Sequence, residues 1–89
     1  MSAWLRRERN RQFVYDILRQ SECVDCGDNR PEVLQFDHQR DKHFDINAGV
    51  HNRYGLAKLR AEIEKCEIRC ANCHAIRTAR MQGWYRRLQ

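Results

Sequence analysis

The sequence Cys70-Ala71-Asn72-Cys73-His74 decides the fold, because its two thiols have the spacing that binds one side of a tetrahedral zinc ion. A second pair with the same spacing, in Cys23-Val24-Asp25-Cys26, can close the other side. The 43 residues between the pairs make the metal a link between distant segments. The pattern predicts a structural zinc site, closed to catalysis, whose ligands are Cys23, Cys26, Cys70 and Cys73.

The composition indicates one small globular domain. Its 89 residues can bury only a modest core, so a metal or a disulfide is often needed as a supplement. With 42% hydrophobic and 33% charged residues, the chain is neither disordered nor of low complexity. It has no apolar run near the roughly 20 residues of a membrane span and no signal-peptide core, so we expect a cytoplasmic protein without membrane contact. In a reducing cytosol, paired cysteines favour metal, and the unpaired Cys66 is expected to be buried as a small hydrophobic residue.

The net charge of +5 is unevenly distributed along the chain. Residues 1–20 carry +3 and residues 75–89 carry +4, whereas residues 21–74 carry −2. Two basic ends around a slightly acidic centre suit a phosphate backbone laid across the domain. A solvated cationic surface that aids solubility is the alternative.

Helical periodicity marks three segments. Residues 3–20 place apolar side chains on one face and most arginines on the other. Residues 56–65 bury leucine and isoleucine side chains and leave Glu62 outside. A last helix begins near residue 72, and we expect it to continue over residues 81–89.

Two short strands are predicted between the helices. Residues 33–38 alternate apolar and polar side chains, and His38 at their end can project into a groove. Residues 67–70 suit a second strand. Residues 39–55 suit a polar loop, in which a short alternation at Phe44 and Ile46 can form an irregular hairpin with the preceding strand. The pattern therefore predicts an α+β fold.

Asp37, His38 and His74 are the candidate catalytic residues. Hydrolysis of a phosphodiester needs a divalent cation and a base whose pKa is near neutrality. One carboxylate and one imidazole can hold the cation while a separate imidazole takes a proton from water. Zinc ligation of the neighbouring Cys73 would hold His74 rigidly. For Asp37 and His38 taken alone, ordinary surface residues are the alternative.

Three runs of sequence carry a resemblance: Leu34-Gln35-Phe36-Asp37-His38, Lys42-x-Phe44-x-Ile46, and Glu62-Ile63-x-Lys65-Cys66-x-x-x-Cys70-Ala71-Asn72-Cys73-His74-x-x-Arg77-Thr78. Together they resemble the small HNH endonucleases of phages and bacteria. The resemblance covers about residues 21–80 and implies a ββα-metal (His-Me finger) core. Residues 1–89 would then form a single domain in which an N-terminal helix (1–20) and a C-terminal helical extension (81–89) flank that core.

The resemblance also implies a function. The chain would be a metal-dependent DNA endonuclease that hydrolyses phosphodiester bonds and nicks one strand per active site. His38 would be the general base, Asp37 and His74 would bind Mg²⁺ or Mn²⁺ (or another divalent ion), and the four paired cysteines would bind structural Zn²⁺. If the chain is phage-encoded, it would act in the bacterial host cytosol.

The chain departs from the family pattern at two places. The middle Asn of the motif has no clear counterpart, since Lys65 and Cys66 occupy its region. Asn72 is one stand-in, although a helix N-cap is the better interpretation of that residue. Thr78 occupies a position at which some members have a further histidine, so the cation would keep more water.

Basic residues late in the chain are the candidate nucleic-acid contacts. Arg77 lies where the family often places a basic residue near the scissile phosphate, and a surface charge is the alternative. Double-stranded DNA is the expected partner. A DNA-facing strip can form from Arg80, Arg86 and Arg87, which alternate with Trp84 and Tyr85, although we expect those two aromatic residues to pack against the N-terminal helix. We interpret His43 and His51 as solvent-exposed or as secondary DNA contacts.

Two other interpretations stay open. One is a zinc-stabilised DNA-binding module without activity, and the other is an accessory subunit of a larger phage DNA-processing machine. The sequence neither shows nor excludes a homodimer or a phage packaging partner.

Overall fold

A two-stranded antiparallel sheet and four α-helices make up the part of the chain that the computed structural model describes, residues 1–88. The elements are α1 (Ala3–Leu18), β1 (Leu34–His38), α2 (Ile46–His51), α3 (Leu56–Ile63), β2 (Cys66–Cys70) and α4 (Ala71–Met81). One turn of 3-10 helix, Pro31–Val33, leads into β1. The α+β prediction is therefore confirmed, together with the two strands. None of the described helices is long and apolar enough to cross a membrane.

The register of the sheet sets the positions of the candidate residues. Leu34 pairs with Cys70 at one end and His38 pairs with Cys66 at the other. Asp37 pairs with Glu67, and because side chains alternate across a strand, it shares one face of the sheet with Arg69, two residues further along β2. Strand β2 runs into α4 without a loop, so the sheet and the helix are held by one continuous stretch of backbone.

The buried core is small and divides into two parts. One part contains Cys23, Leu34 and Cys70, against which Leu18, Val33, Ile68 and Cys73 pack. The other lies where α2 meets α3 and buries Ile46, Val50 and Leu59. Because two of the buried side chains in the first part are thiols, the packing of β1 on β2 depends on the cysteine cluster.

Helix α1 is joined to the second part of the core by a polar contact. The Asn10 side chain is fully buried, and its Nδ2 donates a hydrogen bond of 2.9 Å to the carbonyl of Tyr54. Trp4 and Leu5, by contrast, remain exposed. A buried amide that satisfies a loop carbonyl specifies where α1 lies, since leaving it unpaired would cost about 1–3 kcal/mol.

The segment 39–55 is not the irregular hairpin that its polar composition suggests. It contains α2, in which Ile46 and Val50 lie four residues apart and face the core. The ring of Phe44 packs edge-on against Tyr54 at a centroid distance of 4.9 Å. Two buried apolar side chains and a buried glycine in so short a helix give too little periodicity to be recognised in the sequence.

Three further expectations about the helices are wrong. The side chain of Glu62, expected on the solvent-exposed face of α3, is buried. The N-cap of α4 is Cys70 rather than Asn72, because the Cys70 sulfur accepts a hydrogen bond of 3.4 Å from the Cys73 N–H. The helix predicted over residues 81–89 ends at Met81, and residues 82–88 form turns around Gly83, whose φ of 68° is left-handed. Gln89 lies outside the described residues.

Candidate metal centre and adjoining groove

Local backbone contacts bring the first cysteine pair to the second. The Gly27 N–H donates to the Cys23 carbonyl at 2.9 Å, and Gly27 takes a left-handed φ of 79° that favours glycine. The Val24 N–H donates to the Ile68 carbonyl at 2.9 Å, which ties this turn to β2. Cys70 ends β2 and Cys73 lies in the first turn of α4, so both pairs meet at one end of the sheet.

The four thiols are arranged as a metal site. Their sulfur atoms all lie within 4.8 Å of one another, and Cys26 Sγ is 3.7 Å from Cys70 Sγ. A tetrahedral zinc ion with Zn–S bonds of about 2.3 Å separates its sulfur ligands by about 3.8 Å. Cys23, Cys26, Cys70 and Cys73, the residues predicted from spacing, can therefore hold one zinc ion. Burial acts to raise the pKa of the Cys23 thiol, but backbone hydrogen bonds from Cys70, Cys26 and Asp25 outweigh it and lower that pKa to about 6.

Cys66 lies away from this cluster, at the His38 end of the sheet. It is half-buried, and burial together with nearby carboxylates raises the pKa of its thiol to about 11. Its sulfur donates to the Glu62 carbonyl at 3.6 Å. Cys66 is thus a protonated packing residue, close to the small hydrophobic role expected for it.

Asp37 is a buried carboxylate held by two guanidinium groups. Its side chain is 5% exposed. Arg69 Nη1 donates to Oδ2 at 2.8 Å, and Arg77 Nη1 donates to the same oxygen at 3.2 Å. Oδ1 receives only a 3.4 Å contact from Arg77. One carboxylate oxygen is therefore strongly bonded, while the other is weakly bonded.

His74 faces that weakly bonded oxygen. Its Nδ1 lies 3.6 Å from Asp37 Oδ1, is buried, and has no hydrogen-bond partner among the described residues. A buried polar atom without a partner is uncommon and calls for one. An imidazole nitrogen beside a carboxylate oxygen is a donor set that suits a divalent cation, so these two residues fit the predicted metal pair.

The His38 side chain contacts a different group of residues. Its Nε2 lies 3.0 Å from Oε2 of Glu62. That carboxylate also accepts hydrogen bonds from the His43 N–H at 2.9 Å and from Lys65 Nζ at 3.0 Å. Burial acts to raise the pKa of Glu62, but hydrogen bonds from His43, Lys65 and His38 lower it to about 2.

Glu62 is the residue of this region that sequence reasoning misses. A signal was present, because Glu62 is three residues after the buried Leu59 and so lies on the same face of α3. In a single sequence, however, a glutamate near the end of a helix indicates a solvent-exposed position more often than a buried one.

Asp37, His38 and His74 meet at one groove. They line a cavity of about 650 Å³ together with side chains of α1 and of the segment 42–48. Lys42 and Asp45, which form an ion pair, also line it. Three candidates that are predicted from separate parts of the sequence are therefore within reach of one bound molecule.

The basic residues are divided between two environments. Arg77 is partly buried by its bonds to Asp37 and, at 3.2 Å, to Gln39. Arg80 is exposed at the edge of a second cavity of about 560 Å³ that Arg69 and Arg77 also line. Arg86 and Arg87 are exposed, as are His43 and His51. Trp84 and Tyr85 also stay exposed instead of packing on α1, and both lie in the turns that follow the end of α4 at Met81.

A comparison of the chain with protein-family models, curated proteins and solved structures finds no match.

Proposed function

We propose that this chain is a metal-dependent DNA endonuclease of the HNH type, with a ββα-metal core formed by β1, β2 and α4. The observation that supports this best is the convergence of Asp37, His38 and His74 on one groove beside a four-cysteine metal site. The antiparallel pairing of β1 with β2 and the direct passage of β2 into α4 support this core, and helices α2 and α3 form the connection between its two strands.

The cation site of the proposal is Asp37 Oδ1 with His74 Nδ1. When bound there, Mg²⁺, Mn²⁺ or a similar divalent ion would supply Lewis-acid stabilisation to a phosphate and its leaving oxygen. The residues support this because Nδ1 of His74 lacks any other partner and Oδ1 is the weakly bonded oxygen of Asp37. Zinc in the cysteine cluster would fix His74 through Cys73, one residue before it.

The chain's own groups supply the remaining parts of the reaction. His38 takes the proton from a water molecule aligned with the phosphorus, which makes that water a nucleophile. Arg77 contributes positive charge beside the phosphate, and the exposed Arg80, Arg86 and Arg87 hold the backbone of double-stranded DNA nearby. One groove of this kind cuts one strand per event.

A second candidate function is a zinc-stabilised DNA-binding module without activity. The observation that favours it is the pairing of Asp37 with Arg69 and Arg77, because that ion-pair network satisfies the carboxylate without a cation. The two functions differ in what the histidines do. In the binding module, replacing His38 would leave every measurable property of the DNA complex unchanged.

The test is the cleavage of supercoiled plasmid by the purified protein with Mg²⁺, with Mn²⁺ or with EDTA. We expect metal-dependent nicking that falls about 10²- to 10⁴-fold in His38→Ala, since that is the usual contribution of a general base. His51→Ala, which removes an exposed histidine of α2, is the matched control and should nick like the wild type. DNA binding should be the same in all three proteins. Intact plasmid with every metal, with binding retained, would establish the binding module.

A further inference from the structure

We infer that Glu62 is the positioning residue for His38: its carboxylate holds Nε2–H of the imidazole and so turns a bare Nδ1 toward the groove. This inference rests on the proposed function and adds to it a residue outside Asp37, His38 and His74. It also selects which nitrogen of His38 acts as the base.

The contact itself sets the tautomer. Glu62 Oε2 and His38 Nε2 are 3.0 Å apart, and the two side chains are only 3% and 12% exposed. An ionised carboxylate can accept hydrogen bonds but cannot donate them, so Nε2 must carry the hydrogen. In the neutral ring the other nitrogen, Nδ1, is then unprotonated and able to accept a proton.

Glu62 is itself held in place. The His43 N–H binds the same Oε2 that faces His38, and Lys65 Nζ binds Oε1. Lys65 also donates to the Asp41 carbonyl at 2.9 Å, which ties the loop after β1 to the end of α3. The His43 N–H holds Oε2 independently of Lys65, so the His38 ring that this oxygen contacts is confined as well.

A purely structural role for Glu62 is the competing explanation. The bonds from His43 and Lys65 attach the 39–43 loop to α3 whether or not His38 is catalytic. Lys65→Met separates the two roles, because it removes the bond from Lys65 to the loop carbonyl of Asp41 and leaves Oε2 of Glu62, held by the His43 N–H, on His38.

The first measurement is nitrogen NMR of the wild-type protein labelled in histidine, with His38 assigned by the His38→Ala spectrum. We expect His38 to be protonated at Nε2, with a slowly exchanging Nε2–H proton. The exposed His51 serves as the internal comparison and should show no such proton. A His38 ring protonated at Nδ1, or one whose Nε2–H exchanges as fast as that of His51, would overturn the inference without any variant.

The second measurement is the steady-state kinetics of plasmid nicking. In Glu62→Ala we expect kcat to fall on the order of 10- to 100-fold with KM within about threefold, because substrate still binds while the base is misoriented. Glu62→Gln keeps an oxygen at the same place and should recover most of that loss. Lys65→Met should stay within about threefold of wild type. Zinc content and circular dichroism confirm that each variant is folded.

The outcomes separate the two proposals. If wild type nicks, His38→Ala does not, and folded Glu62→Ala nicks like wild type, the inference about Glu62 is wrong and the nuclease stands. If Lys65→Met loses as much activity as Glu62→Ala, the loop attachment explains the effect and the positioning role is also wrong. If wild type fails to nick with every metal, the nuclease fails and the role of Glu62 fails with it.

Discussion

A carboxylate as deeply buried as Asp37 needs charged partners, and Arg69 and Arg77 provide them. Removing one partner of such a group is strongly destabilising, because it leaves a buried charge uncompensated. Here the arrangement does more than neutralise the charge. Since Arg69 binds Oδ2, the other oxygen stays directed at His74. The network that stabilises Asp37 leaves one of its oxygens weakly bonded, and this is the oxygen that the proposed cation would use.

The role of a single residue can be predicted from the sequence only where the residue belongs to a recognisable motif. Asp37, His38 and His74 follow from their places beside the strand end and the last cysteine. Arg69 and Glu62 do not, because a charged residue on an alternating or helical pattern indicates a solvent-exposed position. Their burial depends on which opposite charge lies across the sheet or the groove, and only the tertiary structure sets that.

Glu62 should make the stability of the protein depend on pH in the acid range. Its folded pKa of about 2 lies below the ordinary value of 4.5, so its contribution is present above about pH 4.5 and is lost as the pH falls toward 2. The shift corresponds to about 3 kcal/mol at neutral pH. We expect Glu62→Gln to be less stable than wild type by about that amount at pH 7 and by less than half of it at pH 3.

Urea unfolding between pH 2.5 and 7 measures that difference. Zinc release at low pH affects both proteins alike, so the gap between the two curves reports on Glu62. Glu64→Gln removes the same charge at an exposed position of the neighbouring turn and should stay within about 0.5 kcal/mol of wild type. A Glu62→Gln deficit that is equal at pH 3 and pH 7 would show that packing, and not the ionised carboxylate, is responsible.

At the scale of elements, the predictable parts are those with strong local signals. Strands β1 and β2, and helices α1 and α3, follow from alternation and from helical periodicity. Helix α2 is not predictable in this way, because its six residues include a glycine and only two apolar side chains that are buried in the core. The end of α4 at Met81 is set by Gly83, which the sequence marks as a weak point but not as a stop.

Gly49 explains how so short a helix packs on α3. A Cβ at this position would lie 2.6 Å from Phe44 Cε2 and 2.8 Å from Leu59 Cδ2, and both side chains belong to the packed interface. We expect Gly49→Ala to destabilise the protein by about 1–3 kcal/mol, because overpacking outweighs the better helix propensity of alanine. The measurement is the midpoint of urea unfolding.

Gly55→Ala is the matched control for that prediction. A Cβ at Gly55 meets nothing within 4 Å, so the same substitution should cost only the weaker N-cap preference of alanine at the start of α3, about 1 kcal/mol or less. If Gly49→Ala is as stable as this control, α2 does not need the close approach to α3.

At the scale of the whole molecule, the buried core is too divided to stabilise 89 residues by packing alone. The cysteine cluster joins the 23–26 turn to the end of the sheet and the start of α4. Because a metal that binds only the folded state adds its binding free energy to folding, zinc in this cluster would be a major source of stability. The sequence predicts this dependence, since the four ligands and their spacing are local features.

Removal of the structural metal should therefore unfold the protein. We expect treatment with a strong zinc chelator to abolish the cooperative thermal transition seen by circular dichroism, and Cys26→Ser to lower the zinc content measured by mass spectrometry and to weaken the transition. Cys66→Ala is the matched control, because its thiol lies outside the cluster and it should keep one zinc ion and a cooperative transition. Adding Mg²⁺ should not restore the chelated protein, since thiolates select zinc over hard cations. A chelated protein that still unfolds cooperatively at the wild-type temperature would mean that the four sulfur atoms meet without contributing to the fold.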